Sequence, residues 1–152
     1  RAWFEAGVTE VGPAELEEYV RAGGGLLVIH SGLAYNEERC PEYVQLVGSA
    51  PRTSPRCTVH LQAALPAHPV LDGVPDFVIR DEHYAMEMTC EDAQVFLESR
   101  SEKGGVQPAG YTREIGKGRL CALTPGHTLD VWEDERFQRL FTNAAEWCMK
   151  ER

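Results

Sequence analysis

The sequence predicts an α/β domain built as a doubly wound, mainly parallel sheet that a C-terminal β-hairpin and a final helix close. Three observations predict it. An amphipathic segment from Pro13 runs through the Gly23-Gly24-Gly25 stop into Leu26-Leu27-Val28-Ile29, a short apolar run without alternation. Such a run marks a strand buried on both faces, and helix, glycine stop and buried strand make half of a βαβ unit. Paired glycines punctuate two later apolar segments, and a strongly amphipathic segment ends the chain.

In order, Pro13 to Ala22 is expected to be a helix, with proline suited to its first turn and Leu16, Tyr19 and Val20 on one face. The triple glycine stops it, because glycine takes the left-handed conformation at a helix end without steric cost. A phosphate-binding glycine loop has the opposite order, strand then glycines then helix, so a nucleotide site is not indicated. After the strand ending at Ile29, Pro41 to Val47 forms a short helix and Gly48 to Arg56 a loop. Thr58 to Ala63 alternates as a strand, His68 to Gly73 turns, and Phe77 to Ile79 leads into Asp81-Glu82-His83-Tyr84. Val95 to Leu97 is a further strand. Ala109 to Ile115 and Arg119 to Thr124 flank Gly116-Lys117-Gly118 as a hairpin. From about Asp134 to Met149, Phe137, Leu140, Phe141, Ala144, Ala145 and Cys148 recur at helical spacing. No repeat or linker interrupts the chain, so residues 1–152 read as a single domain.

Composition narrows the function. Acidic residues outnumber basic ones 24 to 15, for a net charge of −9, and the basic residues are scattered along the chain. Neither nucleic acid nor an anionic membrane suits such a chain. No apolar run approaches a membrane span, and no signal-peptide pattern opens the sequence. The five cysteines are odd in number and form no CxxC pair, which fits reduced thiols and a cytoplasmic location. No motif indicates a cofactor or a metal.

Two histidines stand just past apolar strands. His30 follows Ile29 and precedes Ser31-Gly32, and His127 follows Leu123 through Thr124-Pro125-Gly126. Ligands bind at the carboxyl ends of strands in open α/β sheets, so both are candidate site residues. Between them, Asp81-Glu82-His83-Tyr84 concentrates two carboxylates, an imidazole and a phenol. Alternation puts Glu82 and Tyr84 on one side, here taken as the cleft side, and leaves Asp81 to position a loop or a histidine. Asp130 and Trp132 lie close behind His127; the indole suits stacking on a sugar ring, and equally suits stapling the last helix. His60 and His68 read as structural.

Five segments carry a resemblance: Tyr19 through His30, His68-Pro69 through Gly73, Asp81 through Tyr84, Gly118 through His127, and Trp132 with the helix to Trp147. Their order and spacing resemble the ThuA-like family of trehalose utilisation. The resemblance implies a flavodoxin-like sheet akin to class I glutamine amidotransferases, and a role with trehalose and related disaccharides through keto-sugars. It also implies βα units before Arg1, without which the site would be incomplete and an uncovered sheet edge would favour a homo-oligomer. His30 would stand where the amidotransferases carry their nucleophilic cysteine, and His127 in place of their catalytic histidine. Ile29-His30-Ser31-Gly32 has no thiol, which argues against glutamine hydrolysis. The chain departs from the family at Ser54-Pro55, where a His-Pro pair is usual.

The function expected is acid–base proton transfer beside the carbonyl of a keto-sugar or keto-disaccharide, as isomerisation or elimination. His30, Glu82 and His127 are the expected catalytic groups, and Ser31, Asp81, Tyr84, Asp130 and Trp132 would bind the carbohydrate. The alternatives are a non-catalytic sugar-binding or structural domain and, with less support, a metal-dependent hydrolase using the same three catalytic groups as ligands.

Overall fold

In the computed structural model, residues 11–150 are described. Helix α1 (Pro13–Arg21) has proline in its first turn, and the Glu15 carboxylate accepts from the Gly12 N–H at 3.1 Å. It ends at Gly23, whose φ of +124° lies in the region that favours glycine. Strand β1 (Gly25–Ile29) follows, then a 3₁₀ turn (His30–Leu33) and α2 (Pro41–Val47). Next come β2 (Ser49–Thr53), β3 (Arg56–Ala63), β4 (Phe77–Glu82), β5 (Ala85–Met88), β6 (Gln94–Ser101), β7 (Gly105–Ile115) and β8 (Gly118–Leu123). Helices α3 (Leu129–Glu133) and α4 (Glu135–Cys148) close the chain, the latter capped by Asp134, which accepts from the Arg136 N–H at 2.9 Å.

Six strands form one sheet in the order β1-β8-β7-β6-β3-β4, and β2 pairs with β5 in a separate two-stranded sheet. Among the described residues only β1 and β8 run parallel, and the other strand pairs are antiparallel. The fold is therefore mixed α/β, not the doubly wound, mainly parallel sheet that the sequence suggested. Connection length accounts for two of the antiparallel pairs: residues 102–104 join β6 to β7 and residues 116–117 join β7 to β8, whereas a parallel neighbour needs a crossover of a dozen or more residues. The other two of the large sheet, β3 with β4 and with β6, form across longer connections. The unalternated run in β1 reports its own two-sided burial and nothing about distant strands. The hairpin and closing helix are present as expected. The segment read as a loop from Gly48 contains β2, and neither β5 nor α3 was anticipated.

Two apolar cores lie on opposite faces of the large sheet. On one, Cys121 and Leu123 of β8 meet Val59, Leu61, Phe77, Ile79 and the α4 residues Phe137, Leu140, Ala144 and Trp147. On the other, Val28, Leu120 and Ala122 meet Val20 of α1 and Tyr43, Val44 and Val47 of α2. Alternate residues of β1 and β8 thus feed different cores. Over β3, β4 and β6 this second face stays open, and Thr58, His60, Val78, Arg80 and Arg100 are exposed. On the covered face His68 is buried, its Nε2 lying 3.1 Å from Thr112 Oγ1 and its ring stacked on Phe96.

Candidate active site

The site is assembled where β1 and β8 end. His30 is the first residue after β1, and its φ of +44° is rare for a residue with a side chain. Strain of this kind persists only where the surroundings impose it, and it clusters at functional positions. Here the ring is held from below: His30 Nδ1 lies 2.8 Å from the Thr124 carbonyl oxygen. A carbonyl only accepts, so Nδ1 carries the proton, and Nε2 of the neutral ring presents its lone pair to the site.

Three groups converge on that nitrogen. His127 Nδ1 is 3.1 Å away, Tyr84 Oη 3.4 Å and a Glu82 carboxylate oxygen 3.5 Å. Glu82 also stands 3.6 Å from His127 Nδ1. The outer face of His127 is met by Arg56, whose guanidinium donates to Nε2 and whose Nε is 3.5 Å from Glu82. Because a guanidinium only donates, His127 Nε2 accepts, and its proton sits on Nδ1, aimed at His30. Both tautomers therefore follow from their partners, and the chain of donors ends on His30 Nε2. Burial, followed by the charges of Glu82 and Asp81, pushes the Tyr84 hydroxyl up to about 12, so it remains a neutral proton donor at neutral pH.

The turn bearing His127 is fixed from two sides. The buried Asp81 carboxylate accepts from the N–H of Gly126 at 2.7 Å and of His127 at 3.1 Å. Trp132 Nε1 donates to the Gly126 carbonyl at 3.0 Å, and its ring packs edge-on against Phe137 and Phe141. Gly126 has φ +131°, and a Cβ there would stand 3.1 Å from Ile29 and 3.5 Å from His30, so the turn crosses the histidine only as glycine.

Of the residues singled out from sequence, His30, Asp81, Glu82, Tyr84 and His127 are brought together. Trp132 reaches them through Gly126. Ser31 and Asp130 are exposed, and no hydrogen bond or ion pair among the described residues links their side chains to this group. His83 points away and is buried between Ser99 and Ser101, at 2.9 and 2.6 Å. Sequence reasoning missed Arg56, which it placed at the end of a loop. Arg56 opens β3 directly opposite Glu82, and only the register reveals that pairing.

Ligand atoms of His30, Glu82 and His127 lie within 4.8 Å of one another, close enough to surround one metal ion. Arg56 weighs against that use in this arrangement. It already supplies a positive charge to Glu82, and by holding the proton on His127 Nδ1 it turns an N–H, not a lone pair, toward the centre.

The model of the trehalose-utilisation family ThuA matches residues 3–148. This chain belongs to the ThuA family. Among solved structures, it is similar to a putative ThuA-like protein from Bacteroides uniformis (22% identity, TM-score 0.76, covering 92% of this chain and 64% of that one). A putative ThuA-like protein from Parabacteroides merdae is similar at 20% identity and TM-score 0.75, over 92% of this chain and 65% of that one. A cytoplasmic protein from Salmonella typhimurium matches at 18% identity and TM-score 0.69, over 97% and 64%. The chain thus spans just under two thirds of the length of these relatives. No curated protein matches it. The family is described as one of trehalose utilisation, and the structural likenesses establish the fold of this chain. Among the described residues no helix is long and apolar enough to cross a membrane.

Proposed function

We propose that this ThuA-family chain catalyses proton transfer beside the carbonyl of a keto-sugar or keto-disaccharide, with His30 Nε2 as the base. The observation that carries the proposal is the Thr124 carbonyl 2.8 Å from His30 Nδ1, which assigns the proton of the neutral ring to Nδ1 and turns the basic Nε2 toward the three polar groups of the cleft. A ketone acidifies the adjacent C–H. His30 takes that proton, the C–H electron pair becomes an enolate, and its oxygen accepts a hydrogen bond from Tyr84 or from His127 Nδ1–H. For an isomerisation the first oxygen takes the proton of the hydroxyl on the deprotonated carbon, and His30 returns its proton to the former carbonyl carbon, so that the carbonyl moves by one position. For an elimination the enolate electrons expel a leaving group from the next carbon, which departs with the proton. Glu82, near both imidazoles, offsets the positive charge that His30 acquires. Arg56 and Asp81 hold His127 in the tautomer and position that this sequence of steps requires.

The family's link to trehalose utilisation and the absence of a cysteine after β1 support a carbohydrate substrate over glutamine. The cytoplasm suits five unbonded cysteines and is the location named for the Salmonella relative. Incubating the purified protein with 3-keto-disaccharides and with the parent disaccharides tests the proposal. Consumption of the keto forms alone is expected. Binding of both without turnover would refute it in favour of a sugar-binding module.

A further inference from the structure

Four of the fifteen basic residues, scattered in the sequence, are gathered by the fold. Arg56, Thr58 and His60 alternate along the open face of β3; Arg80 of β4 pairs with Thr58, and Arg100 of β6 pairs with His60. With Lys103 they line a groove of about 650 Å³. The groove holds four full positive charges against the single carboxylate of Glu102, in a chain whose net charge is −9. Arg56 is committed to Glu82 and His127, and Lys103 Nζ donates to the Arg56 carbonyl at 3.3 Å. Arg80 and Arg100 have no carboxylate partner among the described residues, although Asp and Glu are abundant elsewhere. Arg80 faces Thr58 and Arg100 faces His60, so neither has an anionic neighbour across its strand pair, and an anion bound in the groove supplies the missing countercharge.

We infer that this groove is an anion subsite, which receives a phosphate or carboxylate group carried by the sugar whose reacting carbon lies at His30. The inference rests on the proton-transfer proposal only for what occupies its inner end. Geometry joins the two. Glu82 and Arg80 lie two residues apart on β4 and face the same side, roughly 7 Å along the strand. From the Arg56–Glu82 pair to the His60–Arg100 pair is roughly 14 Å, four residues along β3. A substituent remote from the reacting carbon therefore reaches the free guanidinium forks, which suit two oxygens of a phosphate or carboxylate. A polyanion is disfavoured, because the basic area is one groove on an otherwise acidic chain.

Calorimetric titration with inorganic phosphate, glucose 6-phosphate, glucuronate and glucose tests the subsite without depending on turnover. Saturable binding of phosphate and of at least one anionic sugar, tighter than of glucose, is expected. The two anionic sugars distinguish a phosphate source from a carboxylate source. The double variant Arg80→Ala/Arg100→Ala should weaken phosphate binding by roughly tenfold or more per arginine, and Arg139→Ala, exposed on α4, should leave it unchanged. Far-UV circular dichroism checks that the variants fold. Phosphate binding that is absent, or that survives intact in the double variant, overturns the inference. So does sedimentation showing a salt-sensitive dimer that this variant dissolves, since the groove would then be an interface between two copies. Loss of keto-sugar turnover with phosphate binding intact would refute the proton-transfer proposal and leave the subsite standing.

Discussion

Asp81→Asn keeps the shape of the side chain and removes the property on which the site depends. Asp81 is 2% exposed, and its carboxylate accepts from three backbone N–H groups: Gly126 on Oδ2, and His127 and Glu82 on Oδ1. An asparagine has one accepting oxygen. Its best choice keeps the oxygen toward His127 and Glu82 and turns the NH₂ toward the Gly126 N–H, donor against donor. Loss of that charge-assisted bond costs about 1.5–3 kcal/mol, and the two surviving bonds weaken as the charge is lost. Relief from burying a charge offsets part of this, leaving a net destabilisation of about 2 kcal/mol. For a chain of this size that is a fall in Tm of roughly 4–8 °C. Urea and thermal unfolding of Asp81→Asn beside the exposed control Asp130→Asn measure it, and the control should stay within about 0.5 kcal/mol of wild type. An Asp81→Asn protein equally close to wild type would refute the claim that Asp81 holds the His127 turn.

Other perturbations have equally definite outcomes. Burial pushes His68 and His83 below the usual imidazole value, so the unfolded chain takes up protons first as the pH falls through about 6.5. Stability should decline from pH 7 to pH 5.5, read as a falling urea midpoint, and His83→Gln should flatten that decline; a midpoint that rises over this interval contradicts the sign. At Gly118 a Cβ would stand 1.9 Å from the Val20 carbonyl oxygen and 2.4 Å from that of Gly24. Gly118→Ala should therefore cost on the order of 3 kcal/mol in a urea titration, and a neutral result would dissolve the close packing of α1 on β8. Divalent zinc should leave the wild-type Tm unchanged because Arg56 occupies the cation's place; a saturable rise would support the metal-ligand alternative.

How much of this was legible beforehand depends on how local each feature is. The Pro13 helix, the Leu26–Ile29 strand and the closing helix depend on residues within one element, and composition and periodicity show them. The convergence of His30 with His127 was approachable because both follow strands, and β1 and β8 turn out to be neighbours. Sheet direction was not legible, since it depends on which strands meet, and β3 pairs with both β4 and β6 across many intervening residues. Arg56 and the basic groove were hidden for the same reason. Their side chains meet only through register, and a strand start misplaced by two residues was enough to leave Arg56 in a loop. Ser31 looked like a site residue by adjacency, but the tight turn after His30 leaves it exposed at the surface.

Proton transfer in the proposed reaction depends on His30 Nε2 as the base, supported by Glu82 and His127. Its most direct test is incorporation of solvent deuterium into a 3-keto-disaccharide, followed by NMR or mass spectrometry, with wild type, His30→Ala, Glu82→Gln and His127→Ala. Wild type should exchange the proton beside the carbonyl. Loss of one acid–base group should lower the exchange rate about 10²–10⁴-fold, with His30→Ala the most affected and sugar binding less altered. Exchange that persists undiminished in all three variants would contradict the proton-transfer mechanism.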